Sequence, residues 1–382
     1  MLRPVSIAAT ATGVAALLVV ACSGSFEPTT AFFQSPGQGP SSGGPTLTPE
    51  GPTLTPQVSG TTKRFFSVSP VNDRVVWASA DSGTFALTTD GGDTWISRIV
   101  PGAEGLQFRD VQGVTERVAY LLSAGEGSDN RIYKTSDGGD TWSLEFQAGP
   151  DPRNFYDCFD FWSAESPDRG ITFADGQDGR FPVIRTKNGK TWEDIGDLLP
   201  AAQAGEAGFA ASGTCVTTQA GNRAWIGTGG GAKARILSTT DGGNSWTSHD
   251  VPGITQGTPT SGVVSVDFRD RFHGILGGGD VVASTEPQNN VARSADGGAT
   301  WTLATSTPFP GAVYGLSYVP GQLRLTVVAT GPGGAAWSPD EGNSWSLLPG
   351  IANCWSVGFA TRKAGWLVCS DGGIVKVSFT GN

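Results

Sequence analysis

Histidine is nearly absent from this 382-residue chain, which holds only His249 and His273. With no Cys-x-x-Cys and no His-x-x-x-His pair in the sequence, the usual ligand sets of a zinc site are missing and no metal is expected. Basic residues are scarce too: 25 Lys and Arg stand against 35 Asp and Glu, a formal charge of −10. An acidic surface argues against nucleic acid and anionic lipid as default partners. No Gly-x-Gly-x-x-Gly unit opens a helix; Gly229-Gly230-Gly231 and Gly277-Gly278-Gly279 lie in β-hairpin contexts. A dinucleotide therefore has no cradle, and no cofactor is expected. Beyond residue 21 no apolar run resembles a membrane span.

What is present begins with an N-terminal export pattern. Arg3 is followed by small and apolar residues from Val5 to Ala21, ending at Cys22. The run is short for a spanning helix and suits a signal-peptide core. Val19-Val20-Ala21-Cys22 fits a bacterial lipobox, in which the cysteine thiol receives diacylglycerol. Residues 1–21 then read as a lipoprotein signal peptide and Cys22 as the lipidation site. The expected location is exported and membrane-anchored, on the periplasmic or extracellular face. Each buried methylene adds about 0.8 kcal/mol of membrane affinity, so the acyl chains alone would hold the protein. Residues 22–53 are rich in Pro, Gly, Ser and Thr and repeat Gly-Pro-Thr-Leu-Thr-Pro almost in tandem. Such a stretch cannot bury enough apolar surface to order itself and reads as a flexible tether.

Residues 54–382 carry an internal repeat. Thr-Asp-Gly-Gly-Asp-Thr-Trp at 89–95 recurs with small changes at 136–142, 240–246 and 295–301, and in degenerate form at 187–192 and 339–345. These Asp boxes place Asp90, Asp137, Asn188, Asp241, Asp296 and Asp340 ahead of Trp95, Trp142, Trp192, Trp246, Trp301 and Trp345. The tryptophans lie 44 to 55 residues apart, which suits one four-stranded blade per repeat. The box reads as a turn between third and fourth strands, with the carboxylate accepting turn amides and the glycines taking positive φ. The indole buries about 150 to 250 Å², at most about 4 to 6 kcal/mol, so the boxes are read as structural.

A seventh repeat follows from aligning the strands around the boxes. Trp77, Tyr120, Ile171, Trp225, Ile275 and Trp366 open second strands, and third strands run to Ile374–Ser378. The last repeat has three strands before the chain ends. Its fourth is expected from the segment Leu54–Ser59, which would close the ring and remove an exposed edge. The fold expected is all-β: a seven-bladed β-propeller of four-stranded antiparallel blades, the last completed by an N-terminal strand.

Four cysteines remain after Cys22, an even number that permits two disulfides in an exported protein. Counting back ten residues from the second-strand openers gives Ser67, Asp110, Cys215, Ser265 and Ser356. Cys158 joins this column if blade 3 carries a short insertion in its first hairpin, which would set Cys158 beside Cys215. Cys354 and Cys369 flank a hairpin and would lie cross-strand.

The boxes resemble the bacterial neuraminidase repeat, which is shared by sialidases, xyloglucan hydrolases, sortilin-type receptors and the photosystem II stability/assembly factor family. Segments outside the boxes resemble the last of these most: Arg64-Phe65-Phe66-Ser67-Val68, Ser123 to Gly127 with Arg131 to Thr135, Gly205 to Thr214, and Gly227 to Gly231. That resemblance implies a seven-bladed propeller that binds protein. Bacterial relatives often carry the label "oxidoreductase" or "glycosyl hydrolase", for which these residues supply no catalytic motif. A sialidase would need an arginine cluster, a Tyr-Glu pair and a Phe/Tyr-Arg-Ile-Pro segment; Arg180-Phe181-Pro182 is not that segment.

Propellers bind through the loops leading into their inner strands. The polar residues there are Arg109 and Asp110 of blade 2, Asp157 and Asp160 of blade 3, and Glu206 in the long loop Asp194 to Gly213, which could cap the channel. Each could equally form an ion pair or cap a turn. Arg269, Asp270 and Arg271 fall at a first-hairpin turn, where solvent exposure is expected. The functional reading is a monomeric lipoprotein that serves as a docking platform for a protein of the cell envelope. A sialidase-like glycoside hydrolase and a purely structural envelope protein are the alternatives.

Overall fold

The computed structural model describes residues 51–162, 168–323 and 325–380. The signal peptide, Cys22 and most of the tether lie outside the described residues, as does the insertion expected within blade 3's first hairpin. Seven four-stranded antiparallel sheets follow one another around a ring, and no described helix is longer than a single 3-10 turn. In six blades the strands run in chain order from the axis outward. The seventh takes Thr53–Gln57 as its outermost strand, paired from Thr53 against Ser378 to Gln57 against Ile374.

The burial pattern follows from stacking sheets face to face. A second strand such as Val76–Ala80 is buried at every position because both of its faces are covered by neighbouring blades. Outer strands such as Ile96–Ile99 are mostly exposed. Each seam between blades has its own apolar cluster. Trp77, Phe85, Phe108 and Leu121 fill the seam of blades 1 and 2, and Phe65, Ala78, Trp366 and Val368 the seam of blades 7 and 1.

The Asp boxes are closed hydrogen-bonded turns. Asp90 accepts the Thr94 amide (2.9 Å) and hydroxyl (2.6 Å), while Thr88 donates to Asp90 (2.8 Å) and accepts the Gly92 amide (2.9 Å). Gly91 and Gly92 have φ of +82° and +92°. Asn188, in the shortened third box, uses one oxygen for the Lys190 and Thr191 amides and the Thr191 hydroxyl. Trp95, Trp246 and Trp301 are buried, whereas Trp142, Trp192 and Trp345 are half-buried. The full indole burial expected of every box is therefore reached in three.

The closing strand begins one residue before the expected Leu54 and ends at Gln57. Gln57 fastens the seam: its Oε1 accepts the indole N–H of Trp95 (3.0 Å) and of Trp366 (3.1 Å), and its Nε2 donates to the Gly91 carbonyl (3.2 Å). Ser59, expected within the strand, ties the following loop down by donating to the Gly372 carbonyl (2.6 Å).

Candidate functional site

The inner strands, from Phe65–Pro70 of blade 1 to Cys354–Thr361 of blade 7, surround an axial cavity of about 330 Å³. Three aspartates of these strands clasp one blade to the next. Asp110 accepts the amides of Val111 (2.7 Å) and, across the seam, Phe159 (2.9 Å). Asp160 does the same with Phe161 (2.7 Å) and Thr218 (2.6 Å), and Asp267 with Phe268 (2.7 Å) and Tyr318 (2.8 Å). Desolvation raises Asp160 to about 7 and Asp267 to about 6, against the pull of those amides. The nominated Asp110 and Asp160 thus line the cavity and bind backbone.

The column read from the ten-residue offset is present. Cys158 and Cys215 are disulfide-bonded between blades 3 and 4, with Cα atoms 6.0 Å apart. Cys354 and Cys369 are bonded directly across their hairpin, 3.7 Å between Cα atoms.

One mouth of the channel is plugged. Two faces can be distinguished: the box face carries the Asp boxes, and the loop face carries the connections into the inner strands. On the loop face, residues 207–214 cross the axis. Ser212 donates to the Tyr314 carbonyl (2.5 Å), Ser356 donates to the Ser212 carbonyl (3.1 Å), and Thr214 bonds Ser265 (2.7 Å). Gly213 has φ +75°, and a Cβ there would lie 2.1 Å from the Asp110 carboxylate, so only glycine lets the plug lie this close. Ala211 packs in an apolar cluster with Val264, Ala312, Tyr314, Phe209 and Trp355.

Around the plug stands a set of aromatic rings and guanidinium groups. Phe66 meets Trp355 edge-on at 5.3 Å, and Tyr314 meets it at 5.1 Å. Arg109 lies 4.1 Å over Phe66 and Arg64 5.3 Å from Trp355. Arg109 donates to the Ala210 carbonyl (2.9 Å) and, through two N–H groups, to Gln107. Desolvation, with the like charge of Arg64, lowers its pKa to about 10.

Asp157 is buried beneath the plug beside Asp175. Burial raises Asp157 well above the carboxylate range, with the Asp175 charge adding to it, and raises Asp175 to about 6. Burial disfavours the charged form of both carboxylates. Glu206 is also buried, ion-paired with Arg235 and accepting from Thr228 (2.6 Å) and the Gln203 amide (2.8 Å). Of the five nominated residues, Arg109 borders a cavity on the loop face.

Arg269, expected in solvent, has a side chain only 12% exposed and pairs with Glu341 and Asp270. Glu341 stands where intact boxes have their first glycine, at φ +56°, and also accepts from the buried Tyr318 hydroxyl (3.1 Å). This Tyr-Glu pair is tied into the seam of blades 5 and 6, its carboxylate oxygen already taken by Arg269.

Sequence reasoning did not nominate Arg64, Phe66, Tyr314, Trp355, Asp175 or Asp267. One signal was visible: Phe65 and Phe66 are adjacent large aromatics in a strand, so they point to opposite faces. Only Phe65 joins the seam cluster, while Phe66 is left for the channel mouth.

No protein-family model and no curated protein sequence matches the chain. Among solved structures it is similar to YCF48 bound to D1 peptide, with TM-score 0.61 and 16% identity over 87% of this chain and 99% of that one. It is also similar to YCF48 from Cyanidioschyzon merolae, with TM-score 0.59 and 15% identity over 85% and 98%. The GH74 xyloglucanase from Xanthomonas campestris gives TM-score 0.58 and 12% identity over 87% of this chain and 56% of that one. At these identities the likeness is one of architecture, and the chain is a single seven-bladed β-propeller with the fold of YCF48.

Proposed function

We propose that this chain is an exported protein-binding propeller, held to a membrane by a lipid on Cys22, that docks a protein of the cell envelope on its plugged loop face. The observation that carries the reading is the cluster of Arg64, Trp355 and Arg109 around the plug, backed by the buried Phe66. Tryptophan, tyrosine and arginine supply most of the energy at protein interfaces, because they combine a large apolar face with a directed polar group. The plug turns the channel mouth into a continuous surface, which suits a macromolecule better than a small solute. The similar fold of YCF48 bound to D1 peptide supports the reading by analogy. The propeller acts as a monomer.

The test is affinity capture from solubilised membranes with the lipidated protein and with Trp355→Ala and Arg64→Glu variants. A partner retained by the parent and lost from both variants is the expected result. Capture that is indifferent to both changes would overturn the assignment of the face. Turnover of a fluorogenic glycoside, abolished by Asp157→Asn or Glu206→Gln, would replace docking with hydrolysis as the function.

A further inference from the structure

Beside the plug, the loop Gly105–Gln107, the turn Ala124–Asp129 and Phe155 enclose a cavity of about 270 Å³ with Arg109 in its wall. Arg109 makes no salt bridge among the described residues. Its three bonded N–H groups go to neutral acceptors, Gln107 and the Ala210 carbonyl, and no described carboxylate stands within ion-pair distance. The nearby Asp157 acts on Arg109 through space without forming a salt bridge to it. The buried Arg185 and Arg235, by contrast, are each paired with a glutamate. An uncompensated guanidinium out of water is costly to keep. A guanidinium has five N–H groups, so two remain for a ligand.

The rim of the same cavity has the opposite sign. Glu126 is exposed, with no basic partner among the described residues, and Asp129 is exposed with only a 3.7 Å contact to Arg131. A lone anion entering the cavity meets the repulsion of these two carboxylates, and a lone cation meets Arg109. A ligand carrying both charges in adjacent positions meets neither.

We propose that this cavity receives an acidic side chain of the docked protein whose neighbour in sequence is a lysine or arginine. The carboxylate takes the two remaining Arg109 N–H groups, and the adjacent cation sits between Glu126 and Asp129. The inference rests on the loop face being the docking surface, and it names the charge pattern that this surface selects.

The test titrates the full-length protein at low ionic strength with three N-acetyl dipeptide amides: Glu-Lys, Glu-Ala and Gln-Lys. Glu-Lys is expected to bind at least about tenfold more tightly than either singly charged probe, the gain of one charge-assisted contact. The double variant Glu126→Gln, Asp129→Asn changes only exposed side chains, which keeps the fold out of the comparison. It should bring Glu-Lys down to the level of Glu-Ala. Arg109→Gln should remove binding of both; Arg109→Lys, which keeps the charge, should restore part of it. Equal affinities for the three probes, no binding of any, or a Glu-Lys preference that survives the rim variant would each overturn the proposal. Capture of a partner through Trp355 without dipeptide binding defeats the cavity and leaves the platform standing. Dipeptide discrimination without any captured partner supports the cavity and defeats the platform.

Discussion

The two disulfides should differ in worth, and the difference can be worked from their place in the chain. Cys158 and Cys215 are 57 residues apart and join neighbouring blades; Cys354 and Cys369 are 15 apart and join two strands that are already hydrogen-bonded. Restricting the unfolded chain by loops of these lengths is worth about 4 kcal/mol and about 3 kcal/mol. Replacing each pair by alanine should therefore cost about 1 kcal/mol more at blades 3 and 4 than at blade 7, plus the cost of emptying the apolar packing around the fully buried Cys158 and Cys215. Urea unfolding of the two double variants under identical conditions measures the difference. Native-state hydrogen exchange then locates it, with faster exchange expected first along Tyr156–Phe161 and Val216–Gln219, the inner strands on either side of the missing bond. A blade 7 variant as unstable as the blade 3 and 4 variant, or exchange rising uniformly around the ring, would refute the loop-length reasoning.

Other perturbations address single interactions. Gln57→Ala strips the acceptor from two indole N–H groups and should cost about 1 to 3 kcal/mol for each one left unsatisfied, read as a lower thermal midpoint and earlier proteolysis near residue 57. Glu206→Gln leaves Arg235 buried without its counter-charge and should cost about 3 to 5 kcal/mol in chemical denaturation. Asp137 has its folded pKa lowered to about 2 from 3.8 by the Thr141 hydroxyl and amide, so its contribution is present above 3.8 and lost as pH falls toward 2; Asp137→Asn should flatten the acid limb of a fluorescence-monitored unfolding curve. Asp175 behaves oppositely. Burial raises it to about 6, so its protonated form stabilises the fold below 3.8 and that stability is lost as pH rises through 6. Asp175→Asn should reduce this slope, to which Asp160 and Asp267 also contribute, in urea midpoints measured across that range.

The ring itself was legible because its determinants are local and repeated. The turn chemistry of the Asp box lies within seven residues, and a last repeat of three strands calls for a donor at the other end of the chain. The Cys158–Cys215 pairing was legible for a related reason: once a short insertion in blade 3's first hairpin is allowed for, both cysteines fall in the column counted back from the second-strand openers, at equal heights on neighbouring blades. What escaped lies between blades. Asp267, in Val266-Asp267-Phe268, reads as the polar position of an alternating strand, and only the curvature of the ring brings it to the Tyr318 amide. Glu206, within a glycine-rich loop, reads as a residue that could bind a ligand or form an ion pair, and which of these holds depends on Arg235 in a strand 29 residues away. Arg269 reads as a solvent-facing turn residue until its partner is recognised. The clue was Glu341, a charged side chain at a glycine position whose positive φ disfavours it.

The outermost strand of blade 7 has a practical corollary. Thr53 pairs with Ser378 at the end of that sheet nearest the Asp boxes, so both ends of the described chain leave from one corner of the ring, on the side opposite the plug. A tag, dye or sensor chip coupled at either of these two ends lies away from the plugged face. Joining the ends and opening the chain at an exposed turn would give a permuted ring in which the closing strand no longer depends on the two termini finding each other.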